Sequence, residues 1–202
     1  MQKIDQHIKN YFSQVNLISN KIDKNQINRL VKILVTIRKR KGRIFFLGVG
    51  GSAGNCSHAV NDFRKILNIE AYSASENVAE LTARINDEGW DTSYKNWLKV
   101  SSLSKKDCIF IFSVGGGNLK KKVSTNLIES IKYAKSKKSK ILSIVSRDGG
   151  YAYKNSNASV LIPVVNKNAI TPHAEAFQAL IWHLIVTHPT LNPNKNKWES
   201  LK

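Results

Sequence analysis

Two histidines and two carboxylates mark out the chemistry this sequence can offer. His58 and Asp62 stand four residues apart in HAVND, a spacing that puts both on one face of a helix. Further along, Glu175 and His183 share an apolar segment with His173, Phe177, Gln178, Leu180, Ile181, Trp182 and Leu184. Glu175 and His183 are separated by two helical turns, about 12 Å of rise, close to one face without being neighbours. Both grip one small ion only if it sits between them, so a metal site needs ligands from a second helix, and His58 with Asp62 is a suitable source. Two imidazoles and two carboxylates suit zinc or another divalent transition metal. Without metal the same groups suit general acid-base work, since imidazole and a buried carboxylate titrate where proton shuttling is useful. A histidine hydrogen-bonded within a core is the plainer alternative, and spacing alone leaves the three open.

Those residues must be held by something, and the stretch RIFFLGVGGSAGNCSHAVND from Arg43 to Asp62 supplies the frame. The apolar run Ile44 to Leu47 passes through Gly48, Gly50 and Gly51 into a segment that reads as helix from about Ser52: strand, tight turn, helix. The glycines allow close backbone approach to a ligand, and Ser52 is expected to cap the helix, leaving its first amides for an anion such as a phosphate. A second junction repeats the pattern, with Cys108 to Phe112 opening into Ser113, Val114, Gly115, Gly116, Gly117 and Asn118.

Around these junctions the periodicity predicts two amphipathic helices before the sheet, the first carrying Ile4, Ile8, Tyr11, Phe12, Val15, Ile18 and Ile22 and the second Ile27, Leu30, Val31, Leu34 and Ile37. They either cover the sheet or form a bundle between subunits. Further strands are expected at Ile69 to Ser73, Ile141 to Val145 and Val160 to Val165. Helices are expected at Val78 to Ile85, along the aromatic stripe Trp90, Tyr94, Trp97 and Leu98, through Val123, Leu127, Ile131 and Ala134, and from Pro172 to Thr187. A turn, Arg147 to Gly150, and a brief helix precede the last strand. Strands of continuous apolar residues alternating with helices indicate an α/β protein with a largely parallel sheet covered on both faces, whose ligands sit at the carboxyl ends of the strands.

The 202 residues suit one domain. The net charge of +18 is carried mostly by lysines, clustered at Lys120 to Lys122, at Lys132, Lys135, Lys137, Lys138 and Lys140, and at Lys195 and Lys197. These runs lack the aromatic and arginine interleaving of a nucleic-acid platform, so a solvated surface able to steer a small anion is expected, and nucleic acid is not an expected partner. No apolar run approaches a membrane span and the first residues do not read as a signal peptide, so the expected location is the cytoplasm. Cys56 and Cys108 have neither the number nor the spacing of a disulfide framework.

The motifs together resemble a family. GVGGS at Gly48 to Ser52, HAVND ending at Asp62, NDEGW from Asn86, the serine and glycine loop Ser113 to Asn118, RDGG from Arg147 and the last helix with His183 are similar, in order and over essentially the whole chain, to the phosphoheptose isomerases of the sugar isomerase (SIS) domain family. The resemblance implies a flavodoxin-like three-layer sandwich preceded by the two N-terminal helices, residues 1–41, used in oligomer packing. It implies a homotetramer with active sites at subunit contacts, and interconversion of sedoheptulose 7-phosphate and D-glycero-D-manno-heptose 7-phosphate toward surface heptose such as that of lipopolysaccharide. By position, Asp62 falls where members carry a glutamate base, His183 on their catalytic histidine, His58 on a histidine that joins these in binding zinc, and Glu175 on a glutamine. The implied substrate-binding set is Gly50, Gly51, Ser52, Asn86, Asp87, Ser113, Gly115, Gly116, Asn118 and Glu175. The implied metal set is His58, Asp62, Glu175 and His183, with zinc or another divalent ion. The chain departs from the pattern at Val49, which replaces an asparagine, at Gly115, which replaces a loop serine, and after Asn118, where it is several residues longer. These changes mark a divergent subfamily.

The expected mechanism is an aldose-ketose isomerisation through an enediol, with one of Asp62 or His183 taking the proton beside the carbonyl and the other serving the return or the oxygen protons. A rival of another class is a non-catalytic SIS-domain protein, either a replication-initiator-associated type or a phosphosugar sensor. Survival of all four metal-capable side chains counts against a pure binding scaffold.

Overall fold

The computed structural model describes residues 2–192, so Lys195 and Lys197 lie outside the described residues, as does the side chain of Ile4. The apolar runs become five strands, β1 (Ile44–Leu47), β2 (Ala71–Ser73), β3 (Cys108–Ser113), β4 (Lys140–Val145) and β5 (Ala158–Leu161). They pair in the order β2-β1-β3-β4-β5, all parallel. This is the flavodoxin-like order. Every residue of β1 and β3 is buried, because helices cover both faces of the sheet. The helices are α1 (Gln2–Lys21), α2 (Lys24–Lys39), α3 (Gly51–Lys65), α4 (Val78–Glu88), α5 (Trp90–Val100), α6 (Thr125–Ser136), α7 (Gly150–Asn155) and α8 (Ile170–Val186), the last preceded by a short 3-10 turn.

Alternate strand residues feed two cores. Ile44, Phe46, Phe110, Phe112 and Ile144 pack with α2, α3 and α8, while Phe45, Leu47, Ile109, Ile111 and Val145 pack with α5, α6 and α7. In the aromatic stripe of α5, Tyr94 and Leu98 are buried as core, and Trp97 packs edge-on to Phe45. The Tyr94 hydroxyl is also a polar anchor, donating to the Gly48 carbonyl at 2.7 Å and so pinning the first glycine turn. Burial pushes that hydroxyl up to about 12.

The two N-terminal helices differ in how far they are buried. α2, capped by Asp23 accepting from the Asn25 amide, buries Ile27, Leu30, Val31, Leu34 and Ile37 in the core. α1 buries Ile18 but leaves Ile8, Leu17 and Phe12 in solvent, Phe12 at 68% exposure. Among the described residues no helix is long and apolar enough to cross a membrane. Cys56 and Cys108 are buried free thiols on α3 and β3, both pushed up by burial.

Several boundaries differ from those the sequence predicts: α4 continues through Asn86 and Asp87 to Glu88, past the expected end at Ile85, and α8 begins at Ile170, ahead of Pro172. β2 begins at Ala71, where pairing with Ile44 starts, and not at Ile69. β5 ends at Leu161, in register with Val145, ahead of Pro163, which has no amide to donate to a ladder. α6 begins at Thr125, and Val123, expected on its apolar face, instead exchanges two backbone hydrogen bonds with Asn118.

At the opposite end of the sheet from the glycine turns, Asp107 is buried and accepts from the Arg43 amide, Nε and Nη2 and from the Ser104 amide and hydroxyl. Burial alone raises its carboxyl, but these donors outweigh it and hold the group below its ordinary value of 3.8. A depressed folded value means stability that is present above the unfolded pKa and lost as pH falls through the folded one. Asp107→Asn is therefore expected to cost about 1–3 kcal/mol at pH 7. Its deficit against the parent should shrink below about pH 4, near the free aspartate value. Urea unfolding at pH 7 and pH 3 checks this; an equal deficit at both would mean that shape and not charge is what Arg43 requires.

Candidate functional site

α3 and α8 lie side by side and bring His58, Asp62 and His183 together, with one donor atom from each within 4.8 Å of the others. Asp62 is only 6% exposed. Its Oδ1 accepts from Asn61 Nδ2 at 3.0 Å and its Oδ2 from Trp182 Nε1 at 3.1 Å. That same Oδ2 lies 3.6 Å from His58 Nε2 and 3.4 Å from His183 Nε2. The two imidazoles are about half exposed, at 55% and 48% of their side chains, and Trp182 lies against both rings. A buried, oriented carboxylate thus presents one oxygen to two accessible imidazoles. Two ligands at about 2.0–2.1 Å from a tetrahedral ion stand roughly 3.4 Å apart, so the nitrogen and oxygen spacings fit a metal, and the His-Asp-His donor set is one that zinc accepts.

Glu175 does not join this group. Its carboxylate lies against Gly51, where a Cβ would collide with both of its oxygens, so glycine is required at 51 for the acid to reach the start of α3. A carboxylate is favoured there by the unpaired amides and dipole of the helix N-terminus. Neighbouring polar groups stitch the helices: Asn55 Nδ2 donates to the Glu175 carbonyl at 3.0 Å and to Gln178 Oε1 at 2.8 Å, and Gln178 Nε2 donates to Ser52 Oγ at 3.1 Å. Ser52, expected to cap α3, does not do so. The cap position is Gly50, at φ 63° and ψ −132°, a conformation open to glycine, and Ser52 sits inside the first turn with its hydroxyl turned to α8.

A cleft of about 620 Å³ opens at the carboxyl ends of the strands. Val49 and Ser52 reach it from β1, Ser113, Val114, Gly115, Gly117 and Asn118 from β3, Arg147 and Asp148 from β4, and Thr171 from α8. This is the crevice where strand order reverses, between β1 and β3. Ser113 Oγ accepts from the Gly116 amide at 3.0 Å, which folds the loop back on itself and leaves the hydroxyl proton free for a ligand.

Of the residues predicted for substrate, Ser52, Ser113, Gly115 and Asn118 line the cleft. Gly50, Gly51 and Gly116 shape its turns, and Glu175 flanks it through Gly51. Asn86 and Asp87 do not reach it within the chain: they lie exposed on α4 and hydrogen-bond to each other at 2.7 Å. Sequence reasoning misses Trp182, which reads only as apolar, and Asn55, Lys121, Ser124 and Thr171. Trp182 had one signal, a donor-bearing indole next to His183 in an otherwise apolar helix.

The SIS domain family model matches residues 10–146. The phosphoheptose isomerase of Leptospira biflexa is 28% identical over 163 residues, covering 76% of this chain and 77% of that protein. A lincomycin biosynthesis protein of Streptomyces lincolnensis is 27% identical over 158 residues, or 73% of this chain, which spans only 56% of that protein's length. Among solved structures, the phosphoheptose isomerase of Neisseria gonorrhoeae superposes with a TM-score of 0.78 at 20% identity, covering 91% of this chain and 97% of that one, a likeness of fold. With most of its length matched by the family model and its strand order and helical layers in agreement, the chain belongs to the SIS domain family.

Proposed function

We propose that this protein is a phosphosugar aldose-ketose isomerase that interconverts sedoheptulose 7-phosphate and D-glycero-D-manno-heptose 7-phosphate. The observation that carries the reading is the buried Asp62 carboxylate, fixed by Trp182 and facing two accessible imidazoles, on the helix that leads away from the cleft. Ser52 in the cleft and His58 beside Asp62 are six residues apart on α3, a rise of about 9 Å. A long open-chain sugar with its phosphate in the cleft spans that interval better than a triose phosphate. The similarity to phosphoheptose isomerases supports the same substrate class.

In the ketose-to-aldose direction, one of Asp62 or His183 removes a proton from C1 while the C2 carbonyl oxygen gains one, giving the enediol. Deprotonation of the C1 hydroxyl and return of a proton to C2 then yield the aldehyde. The two groups come from different helices but stand 3.4 Å apart, so the acid and the base meet the substrate side by side. Ser52, Ser113 and the loop amides hold the phosphate and hydroxyls. His58, Asp62 and His183 would hold a divalent ion, zinc in the first instance, which when bound polarises the carbonyl. The apolar Ile8 and Phe12 of α1, with Leu180 and Leu184 beside His183, support a homotetramer in which Asn86 and Asp87 serve a site completed by another subunit. Residues 1–202 then act as one SIS unit in the cytoplasm, with 1–41 in the packing.

The deciding experiment is turnover of sedoheptulose 7-phosphate by purified protein before chelation, after it, and with zinc restored, with metal content measured on the same samples. Turnover that falls on chelation and returns with zinc is the expected result. Turnover indifferent to metal would leave Asp62 and His183 as a bare acid-base pair, and binding of phosphosugar without turnover in any condition would favour a sensor.

A further inference from the structure

The residues after Asn118 form a built turn at the cleft mouth. Asn118 and Val123 exchange backbone hydrogen bonds at 2.9 and 3.1 Å, and Asn118 Oδ1 accepts from the Lys121 amide at 3.0 Å, so the four residues between them are fixed at both ends. Of the three consecutive lysines in this turn, Lys121 is the one that lines the cleft. Arg147 lines the same cleft, a non-glycine residue held at φ 55°, a conformation that costs an L-residue about 1–2 kcal/mol. The Arg147 stem runs beside this loop, its Cδ 3.9 Å from where a Cβ at Gly115 would lie, an ordinary packing distance. Among the described residues neither the Lys121 ammonium nor the Arg147 guanidinium forms a side-chain hydrogen bond or ion pair, whereas the cleft's acid, Asp148, accepts from the Gly150 amide at 3.2 Å.

The hydroxyls that face the same space are partly spent. Ser52 Oγ already accepts from Gln178 and Ser113 Oγ from the Gly116 amide, so each offers a ligand one O–H and no charge. A phosphate monoester near neutral pH carries close to two negative charges, and a fixed cation paired with a planar guanidinium fork is the chemistry that meets it. We infer that Lys121, presented by the turn between Asn118 and Val123, and Arg147, beside Gly115, form a cationic clamp that neutralises the phosphate of the substrate and sets the selectivity of this cleft for phosphorylated sugars. The inference rests on the phosphosugar reading above and assigns the two side chains through which it is achieved.

The clamp is tested by calorimetric binding of sedoheptulose 7-phosphate, of unphosphorylated sedoheptulose and of inorganic phosphate to the parent protein and to Lys121→Met, Arg147→Gln and the double variant. Lys132→Met, whose ammonium pairs with Glu129 on α6, is the surface-charge control. Each single variant is expected to weaken phosphosugar binding about tenfold and the double about a hundredfold. Binding of the unphosphorylated sugar and of all ligands to the control should be unchanged. Where turnover is measurable, the loss should fall on KM. Phosphosugar affinity within twofold of the parent in the double variant, with its thermal unfolding intact, would overturn the clamp even if the protein is an isomerase. Failure of turnover in the parent with the same graded loss of phosphate affinity would overturn the isomerase reading and leave the clamp standing.

Discussion

Asp62→Asn is expected to lower turnover of sedoheptulose 7-phosphate by roughly 10²–10⁴-fold, the range associated with a positioned acid-base group. The substitution keeps the size of the side chain and its place between α3 and α8 but removes the charge that both imidazoles face at 3.4 and 3.6 Å. It also turns an amide NH₂ toward either Asn61 Nδ2 or Trp182 Nε1, each of which needs an acceptor, so a loss of about 1–3 kcal/mol in stability should accompany the loss of rate. His183→Ala should match the kinetic effect with little cost in stability, because its ring is half exposed. Trp182→Phe separates positioning from chemistry: the carboxylate stays, its indole donor goes, and about tenfold in rate should be lost with metal content unchanged. Steady-state rates, metal analysis and urea unfolding on the three variants check this together. Parent-like turnover in folded Asp62→Asn would remove Asp62 from the mechanism.

Why Asp62 is legible in the sequence and Trp182 is not is a matter of what a spacing encodes. His58 and Asp62 lie on one helix, where a separation of four fixes a shared face. Continuous apolar runs such as Ile44 to Leu47 and Cys108 to Phe112 likewise announce buried parallel strands, and with them the position of the cleft. The indole bond to Asp62 joins residues 120 apart in the chain and depends on how α3 packs against α8. Ser52 reads as a cap because serine before a helix usually caps it, but a glycine two residues earlier takes the cap position and the hydroxyl is claimed by Gln178. The same kind of competition draws Glu175 away from the histidines. Nothing local shows that its partner is the empty space at Gly51, since the eight-residue separation from His183 reads equally well as a reach toward a shared ion.

The glycine loops carry the second large expectation. From sequence they are ligand cradles, and in the structure they first serve one another. At Gly116, φ is 68° and a Cβ would run into the Gly149 carbonyl oxygen, while a Cβ at Gly150 would meet the carbonyls of Gly115 and Gly117. This close approach lets the Tyr151 amide donate to the Gly117 carbonyl at 2.9 Å and the Ala152 amide to the Gly116 carbonyl at 2.8 Å, so the loop after β3 satisfies the first amides of α7. Gly116→Ala adds left-handed strain of about 1–2 kcal/mol. It also forces the two backbones apart, leaving amides short of partners at about 1–3 kcal/mol each. The sum, roughly 3–8 kcal/mol, is a large share of a typical stability of about 5–15 kcal/mol, and at about 2–4 °C per kcal/mol it should lower Tm by roughly 6–30 °C. Gly54→Ala is the counterpart: it lies within α3, has nothing near its Cβ position, and should stabilise by up to about 1 kcal/mol. Gly50→Ala, with positive φ but open space, should fall between them, paying strain without collision. Thermal unfolding of the three variants orders them, and because Gly115 and Arg147 sit on the two loops that separate, Gly116→Ala should lose phosphosugar affinity even where it remains folded. Equal melting of Gly116→Ala and the parent would mean that the loops tolerate separation and that the cleft is shaped by something other than their contact.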